Sequence, residues 1–169
     1  DEKSGYTMAV PVPGKVALIQ SNMASTLNID WLLDLARGVL KGQGVERSRG
    51  DLLKGIDEAM LARPAAGLLY HPYISRAGER GPFLDSAARA SFIGLDTSHD
   101  FASLMRSVFE GLCFASRDCY EATGSIPPEV RITGGAARSL ALRTMLASTL
   151  GSSVRYVNRE EAGAAGVAM

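Results

Sequence analysis

Val130-Arg131-Ile132 leads into Thr133-Gly134-Gly135-Ala136-Ala137-Arg138-Ser139, and that into Leu140-Ala141-Leu142-Arg143-Thr144-Met145-Leu146-Ala147-Ser148-Thr149-Leu150-Gly151. Residues 130–133 are β-prone, residues 140–150 carry an amphipathic helical pattern, and Gly151 is a helix stop. A strand that ends in two glycines and opens a helix can hold a nucleotide. Gly134 and Gly135 have no Cβ, so the backbone can take positive φ and a ligand can lie against it. The first turn of the following helix offers free N–H groups and a partial positive charge, which favour phosphate oxygens. Spacing alone equally allows a tight turn that binds nothing. The run is not a dinucleotide fingerprint, lacking Gly-x-Gly-x-x-Gly, nor a P-loop, lacking Gly-Lys-Ser/Thr.

Working outward, the chain alternates strand and helix signals. Tyr6–Val12 and Lys15–Gln20 flank Pro13-Gly14 and read as a hairpin. Ser25–Leu40 reads as a helix with Leu27, Trp31, Leu35 and Val39 near one face. Arg49–Leu61 reads as a second, shorter helix, with Ser48 and Asp51 forming a capping box. Gly67–Tyr70 and Ala90–Gly94 read as short strands around a polar loop, Pro72–Ala88. Asp100–Thr123 is the longest helix, with Phe101, Leu104, Met105, Val108, Leu112 and Ala115 at helical spacing. Val154–Val157 reads as a strand and Glu160–Met169 as the start of a last helix. This order gives an α/β domain opened by a hairpin and closed by a strand–helix–strand–helix unit.

Composition bounds the function. The 169 residues suffice for one well-packed domain. Lys and Arg number 18, as do Asp and Glu, so no net charge draws the chain to nucleic acid or a membrane surface. No apolar run approaches the ~20 residues that span a bilayer, and no signal pattern opens the chain; a cytoplasmic protein is expected. Cys113 and Cys119 fall six apart in one helix, so they face apart and are expected as reduced, buried thiols. With His71 and His99 they make no metal-ligand spacing, and no metal-ligating residue is assigned. The start at Asp1 without Met, and the stop inside AGAAGVAM, read as a piece of a longer protein.

Gly134–Gly151 resembles the adenosine-binding segment of the FGGY carbohydrate kinases, whose form is roughly GGGARSPLWRQMLADILG. Gly134, Gly135, Ala137, Arg138, Ser139, Arg143, Met145, Leu146, Ala147, Leu150 and Gly151 coincide with it. Glu161 to Ala168 resembles the family's closing E-x-G-A-x-G-A-A helix. Pro72-Tyr73, Gly78-Glu79-Arg80, Pro82, Asp85, Ala88-Arg89 and Gly94-Leu95 resemble its PYL…GERTPxxDPxARGxxxGL loop and strand. Leu104, Arg106, Val108, Phe109, Glu110 and Gly111 resemble its H-L-x-R-A-V-x-E-G helix. The four motifs occur in family order over residues 18–169. Ser103, Leu142, Thr144 and Ser148 depart from it, as does a two-residue excess near Arg76-Ala77. Residues 70–73 and 25–32 look closest to the xylulose, L-xylulose and erythritol kinase branches.

The resemblance implies an actin-like, ribonuclease-H-like fold: a mixed sheet flanked by helices, preceded by the hairpin. It implies that residues 1–169 are the C-terminal, nucleotide-binding lobe, whose partner is an N-terminal sugar-binding lobe of the same protein, with a homodimer also among the expectations. ATP with Mg2+ and a sugar or polyol are the implied ligands. Gly134 and Gly135 would approach the nucleotide near its ribose and α-phosphate, Ala136 and Ser139 would border the adenine, and Thr26 and Asn28 align near a turn facing the terminal phosphates. Asn28 reads equally well as a helix N-cap and Thr26 as a turn contact. The family's base, an Asp, lies in the other lobe, so no catalytic residue is assigned.

Charged neighbours read as structure. Glu79, Arg80, Asp85 and Arg89 are expected to pin the loop as a salt-bridge network, Arg106 and Glu110 to pair along their helix, His71 to be a hydrogen-bonded strand-end residue and His99 part of a helix cap. Two further functional readings stand beside the kinase: a non-catalytic actin-like module that uses nucleotide to control assembly or a partner, and a dinucleotide-dependent oxidoreductase domain, disfavoured by the missing fingerprint. A scaffold domain without ligand is the plainest reading.

Overall fold

Helices of this chain become stable only where an apolar face meets another element, and the longest helix provides the common surface. The structure, a computed structural model, describes residues 5–65 and 67–157. In chain order the elements are β1 (Tyr6–Ala9), β2 (Val16–Ile19), α1 (Thr26–Gly42), α2 (Arg49–Leu53), α3 (Ile56–Leu61), β3 (Leu69–His71), β4 (Ser91–Ile93), α4 (Phe101–Ala122), β5 (Glu129–Ile132), α5 (Leu140–Leu150) and β6 (Ser153–Tyr156). The final helix expected over residues 160–169, with its Glu161–Ala168 motif, lies outside the described residues.

The strands pair as three two-stranded ribbons. β1 and β2 are antiparallel, with Tyr6 opposite Ile19, and β3 and β4 are antiparallel, with Tyr70 opposite Phe92. β5 and β6 are parallel, with Val130 opposite Val154, and α5 is the crossover between them. Where one mixed sheet is expected, the described strands form separate ribbons, two antiparallel and one parallel.

α4 runs through the middle. Met105, Val108 and Phe109 are buried on it, against Leu32 and Leu33 of α1, Met60 of α3, Tyr70 of β3 and Met145 of α5. Each such side chain contributes roughly 1.5–3 kcal/mol by leaving water. Gly111 lets α4 approach β3: a Cβ there would stand 2.3 Å from the Tyr70 carbonyl oxygen. Asp100 caps α4 by accepting from the Ser103 N–H at 2.9 Å, and Arg63 pairs with the same carboxylate.

Two helix expectations change. The stripe Leu27, Trp31, Leu35, Val39 is exposed, Val39 at 66%, whereas α1 buries Asn28, Ile29, Leu32 and Leu33. α1 carries apolar residues on two sides, and contact with α4 selects the side of Ile29, Leu32 and Leu33. The helix expected over 49–61 is broken: Lys54 is extended at ψ 121° and separates α2 from α3. Its capping box is as expected, with Asp51 N–H donating to Ser48 Oγ at 3.0 Å and Ser48 N–H to Asp51 Oδ2 at 3.1 Å.

Among the described residues no helix is long and apolar enough to cross a membrane. Cys113 and Cys119 are free and buried, as expected. Burial, with Glu110 nearby, pushes the Cys113 thiol up to about 12; burial, Glu79 and Asp118 push that of Cys119 up to about 11.

Candidate functional site

The glycine turn leaves β5 and does not open the helix directly. Gly134 takes φ +93°, a conformation that costs a side chain dearly. Gly135 is helical at φ −60°, ψ −47°, so only the first glycine needs positive φ. One turn of 3₁₀-helix, Ala136–Arg138, follows, and α5 begins after Ser139. Ala137 N–H bonds back to Gly134 O, Arg138 N–H to Gly135 O and Ser139 N–H to Ala136 O. A Cβ built at Gly135 meets nothing within 4 Å.

Two cavities adjoin this turn. One, about 600 Å³, has an apolar side of Ile29, Leu33, Leu53, Ile56 and Phe109 and a polar side that includes Thr26, Asp57, Gly135, Ala136 and Ser139. The other, about 260 Å³, is bordered by Ser25, Thr26, Thr133, Gly134, Gly135 and Ala136. Thr26, Ile29, Gly135 and Ala136 belong to both. Thr26, Gly134, Gly135, Ala136 and Ser139, chosen from sequence, thus surround one locality although over a hundred residues separate Thr26 from the rest.

Asn28 is not there. It is fully buried, lines neither cavity, and is not the N-cap of α1, a position held by Ser25. Its amide nitrogen donates to the Ala24 and Ser25 carbonyls at 2.8 and 3.0 Å, and its Oδ1 accepts from the Tyr70 hydroxyl at 2.9 Å. A ligand-facing role for Asn28 is corrected accordingly: its side chain is spent inside the fold.

The start of α5 is also not an open anion site. Asp57, from α3, occupies it. Its Oδ1 accepts from Ser139 Oγ at 2.7 Å, and its Oδ2 accepts from the N–H groups of Leu140 at 2.6 Å and Ala141 at 3.3 Å. Ser139 Oγ in turn accepts from Leu142 N–H at 3.0 Å, and Arg143 N–H bonds Ser139 O. The carboxylate takes the place at the positive helix end that a phosphate oxygen would otherwise take. Sequence gave no local sign of Asp57, which lies 82 to 84 residues from its partners. The N–H groups of Gly135 and Ala136 make no hydrogen bond among the described residues. At the rim, Arg49 pairs with Asp30 at 3.1 Å and with Asp34; the bond from Arg49, opposed by partial desolvation and aided by Arg37, holds the Asp34 carboxyl down at about 2.

The charged loop is pinned differently from the expected salt-bridge network. No ion pair among the described residues joins Glu79, Arg80, Asp85 and Arg89. Glu79, 1% exposed, instead accepts at Oε1 from the N–H groups of Met23, Arg80 and Gly81 at 2.8, 2.7 and 3.2 Å. Asp85 accepts from Ala87 N–H, and Arg89 donates to the Ser86 and Ala88 carbonyls. The carboxylate–backbone bonds hold the loop against the segment before α1, where ion pairs would have left those donors bare. Arg106 and Glu110 do pair, at 2.7 Å, and Arg106 also donates to Met60 O and Arg63 O. His71 Nδ1 lies 3.3 Å from Ser91 Oγ at the strand end, and His99 Nδ1 accepts from Asp96 N–H at 3.1 Å just before the α4 cap.

Comparison with known proteins decides the family. Residues 3–169 match the model of the FGGY family of carbohydrate kinases, C-terminal domain. The chain belongs to this family. An FGGY relative, the erythritol kinase of Brucella abortus (strain 2308), is 52% identical over 168 residues, covering 99% of this chain and 32% of its own length. The xylulose kinase of Bacillus subtilis (strain 168) is 32% identical over 170 residues, 98% of this chain and 30% of that protein. The crystal structure of a xyloylose kinase from Brucella ovis superposes with a TM-score of 0.77 at 22% identity, over 98% of this chain and 33% of the other, and so shares the fold. The chain spans about a third of the length of the FGGY proteins it matches. Among the described residues, no three of His, Cys, Asp and Glu come together to hold a metal ion.

Proposed function

We propose that this region is the nucleotide-binding lobe of an ATP-dependent sugar or polyol kinase, and that the whole protein moves the γ-phosphoryl of ATP to a primary hydroxyl of a pentulose or a short polyol such as erythritol. The observation that carries the reading is the meeting of Thr26 with the Gly134–Ala136 turn between two cavities. The ribose and α-phosphate lie against Gly134 and Gly135, and the base enters the apolar side of the larger cavity, bordered by Ala136 and Ser139. The free N–H groups of Gly135 and Ala136 are donors for phosphate or ribose oxygens. Thr26 bounds both cavities and offers a hydroxyl to the phosphate chain.

Phosphoryl transfer also needs a carboxylate to take the proton of the sugar hydroxyl and a cation to neutralise phosphate charge. The carboxylates that line the larger cavity are already engaged, Asp30 by Arg49 and Asp57 by the start of α5, so the base is assigned to the rest of the protein, with Mg2+ carried on the ATP phosphates. Closure of the second lobe over the cleft would exclude water and so suppress hydrolysis. The 52% identity to an erythritol kinase favours a four-carbon polyol, and the 32% identity to a xylulose kinase keeps pentuloses in view.

The test is calorimetry on the full-length protein, followed by an ADP-release assay with erythritol, other polyols, pentuloses and glycerol. ADP–Mg should bind and NAD should not, and one polyol or pentulose should stand out in kcat/KM. Binding of ADP–Mg with no turnover on any acceptor would favour a non-catalytic actin-like module.

A further inference from the structure

The larger cavity is mostly apolar, with charge at its edges: Asp30 and Arg49, which pair with each other, Arg138, and Asp57 from α3. Asp57 lines it together with Ile29, Leu33, Ile56 and Phe109. Its carboxylate receives three bonds: one from Ser139 Oγ at Oδ1, and two from backbone N–H groups at Oδ2. A carboxylate has about four acceptor positions, so one position remains, on Oδ1. That oxygen shares the cavity with Ile29, Leu33, Ile56 and Phe109, where it can accept from an N–H donor and disfavours a second acceptor.

We infer that Asp57 is a base-selecting residue: it orients the nucleotide with its base toward α3 and prefers a purine that presents an exocyclic amine over one that presents a carbonyl at the same position. The proposal rests on the nucleotide reading above. Two features support the orientation. Phosphate charge is repelled by Asp57 and favoured near Arg138, which follows the glycine turn, and the α5 N–H groups that would also have attracted it are occupied by the Asp57 carboxylate. The apolar side chains opposite Asp57 suit the faces of a purine and not a triphosphate. The selection follows from chemistry at one edge. The 6-amino group of adenine donates to Oδ1, whereas the 6-carbonyl of hypoxanthine sets lone pair against lone pair.

The experiment compares ADP–Mg with IDP–Mg, which differ at that position, by calorimetry on the full-length protein and its variants. Wild type should prefer ADP by about tenfold or more, the usual scale for a bond to a charged acceptor. Asp57→Ala should bring the two affinities together, chiefly by weakening ADP. Asp57→Asn keeps an oxygen for the α5 N–H groups and gains an amide donor, so it guards against a folding failure in the alanine variant and should shift the preference toward IDP. Thermal melts establish that each variant is folded. A folded variant that keeps the wild-type ADP:IDP ratio overturns the role of Asp57. If instead Gly135→Trp, which fills the cavity mouth, leaves wild-type ADP affinity unchanged, the nucleotide reading itself fails and the role of Asp57 falls with it.

Discussion

The Tyr70 hydroxyl donates to Asn28 Oδ1 at 2.9 Å in the interior, joining β3 to the first turn of α1 across 42 residues of sequence. Both residues are buried, at 4% and 0% exposure. Tyr70→Phe leaves the Asn28 oxygen without its donor and should cost about 1–3 kcal/mol of stability. Asn28→Ala additionally frees the Ala24 and Ser25 carbonyls and should cost more. Urea denaturation measures both losses. ADP affinity should stay close to the parent's in either variant, because neither side chain lines the cavities; a large loss of affinity with native stability would return Asn28 to the binding site.

Gly134 and Gly135 should answer differently to substitution. Gly134 sits at φ +93°, so Gly134→Ala forces a strained backbone and should cost roughly 1–2 kcal/mol. Gly135 is at φ −60° with open space beyond its Cα, so Gly135→Trp should fold normally and obstruct both cavities. Its expected signature is ADP–Mg binding weakened by about tenfold or more with a near-parental melting temperature. Paired melts and calorimetry read the two effects separately.

Glu79 and Arg80 are neighbours with opposite expectations. Glu79→Ala strands the N–H groups of Met23, Arg80 and Gly81 and should destabilise by about 1–3 kcal/mol or more. Arg80→Ala, at an exposed side chain, should change stability by less than about 0.5 kcal/mol. Equal losses in urea titrations would restore an ion-pair network as the fastener of this loop.

Alkaline pH should weaken the fold. Burial raises the Cys113 thiol from 9.0 to about 12 and the Tyr70 hydroxyl from 10.0 to about 12. Both groups bind their proton more tightly when folded, so their contribution is complete below the ordinary values and is lost as pH rises from about 9 toward about 12. The melting temperature should fall through that window, with a shallower slope in Tyr70→Phe. Below it the thiols stay protonated and covered, so iodoacetamide labelling of Cys113 and Cys119 at pH 8 should track unfolding and be negligible in the native protein.

Much of this arrangement is legible in residues close together in the chain. The hairpin, the capping box at Ser48, the long α4, the crossover β5–α5–β6 and the Arg106–Glu110 pair all depend on turns, caps or spacings within a few residues. The glycine turn is legible for the same reason. Glu79 is not legible in this way: its motif shows charges that could pair, while its actual partners are backbone N–H groups that have no sequence signature.

By itself, then, the sequence determined the order of the elements apart from the break at Lys54, the family, and the turn at Gly134–Gly135, since each is written in local periodicity or in contiguous motifs. The tertiary structure alone decided that α1 buries Ile29, Leu32 and Leu33 instead of the Leu27–Val39 stripe, that Asn28 faces Tyr70, and that Asp57 closes the N-terminus of α5. A helix with apolar residues on two sides has no preferred face until a neighbour packs against it. A capping carboxylate more than eighty residues away becomes a partner only when α3 and α5 meet.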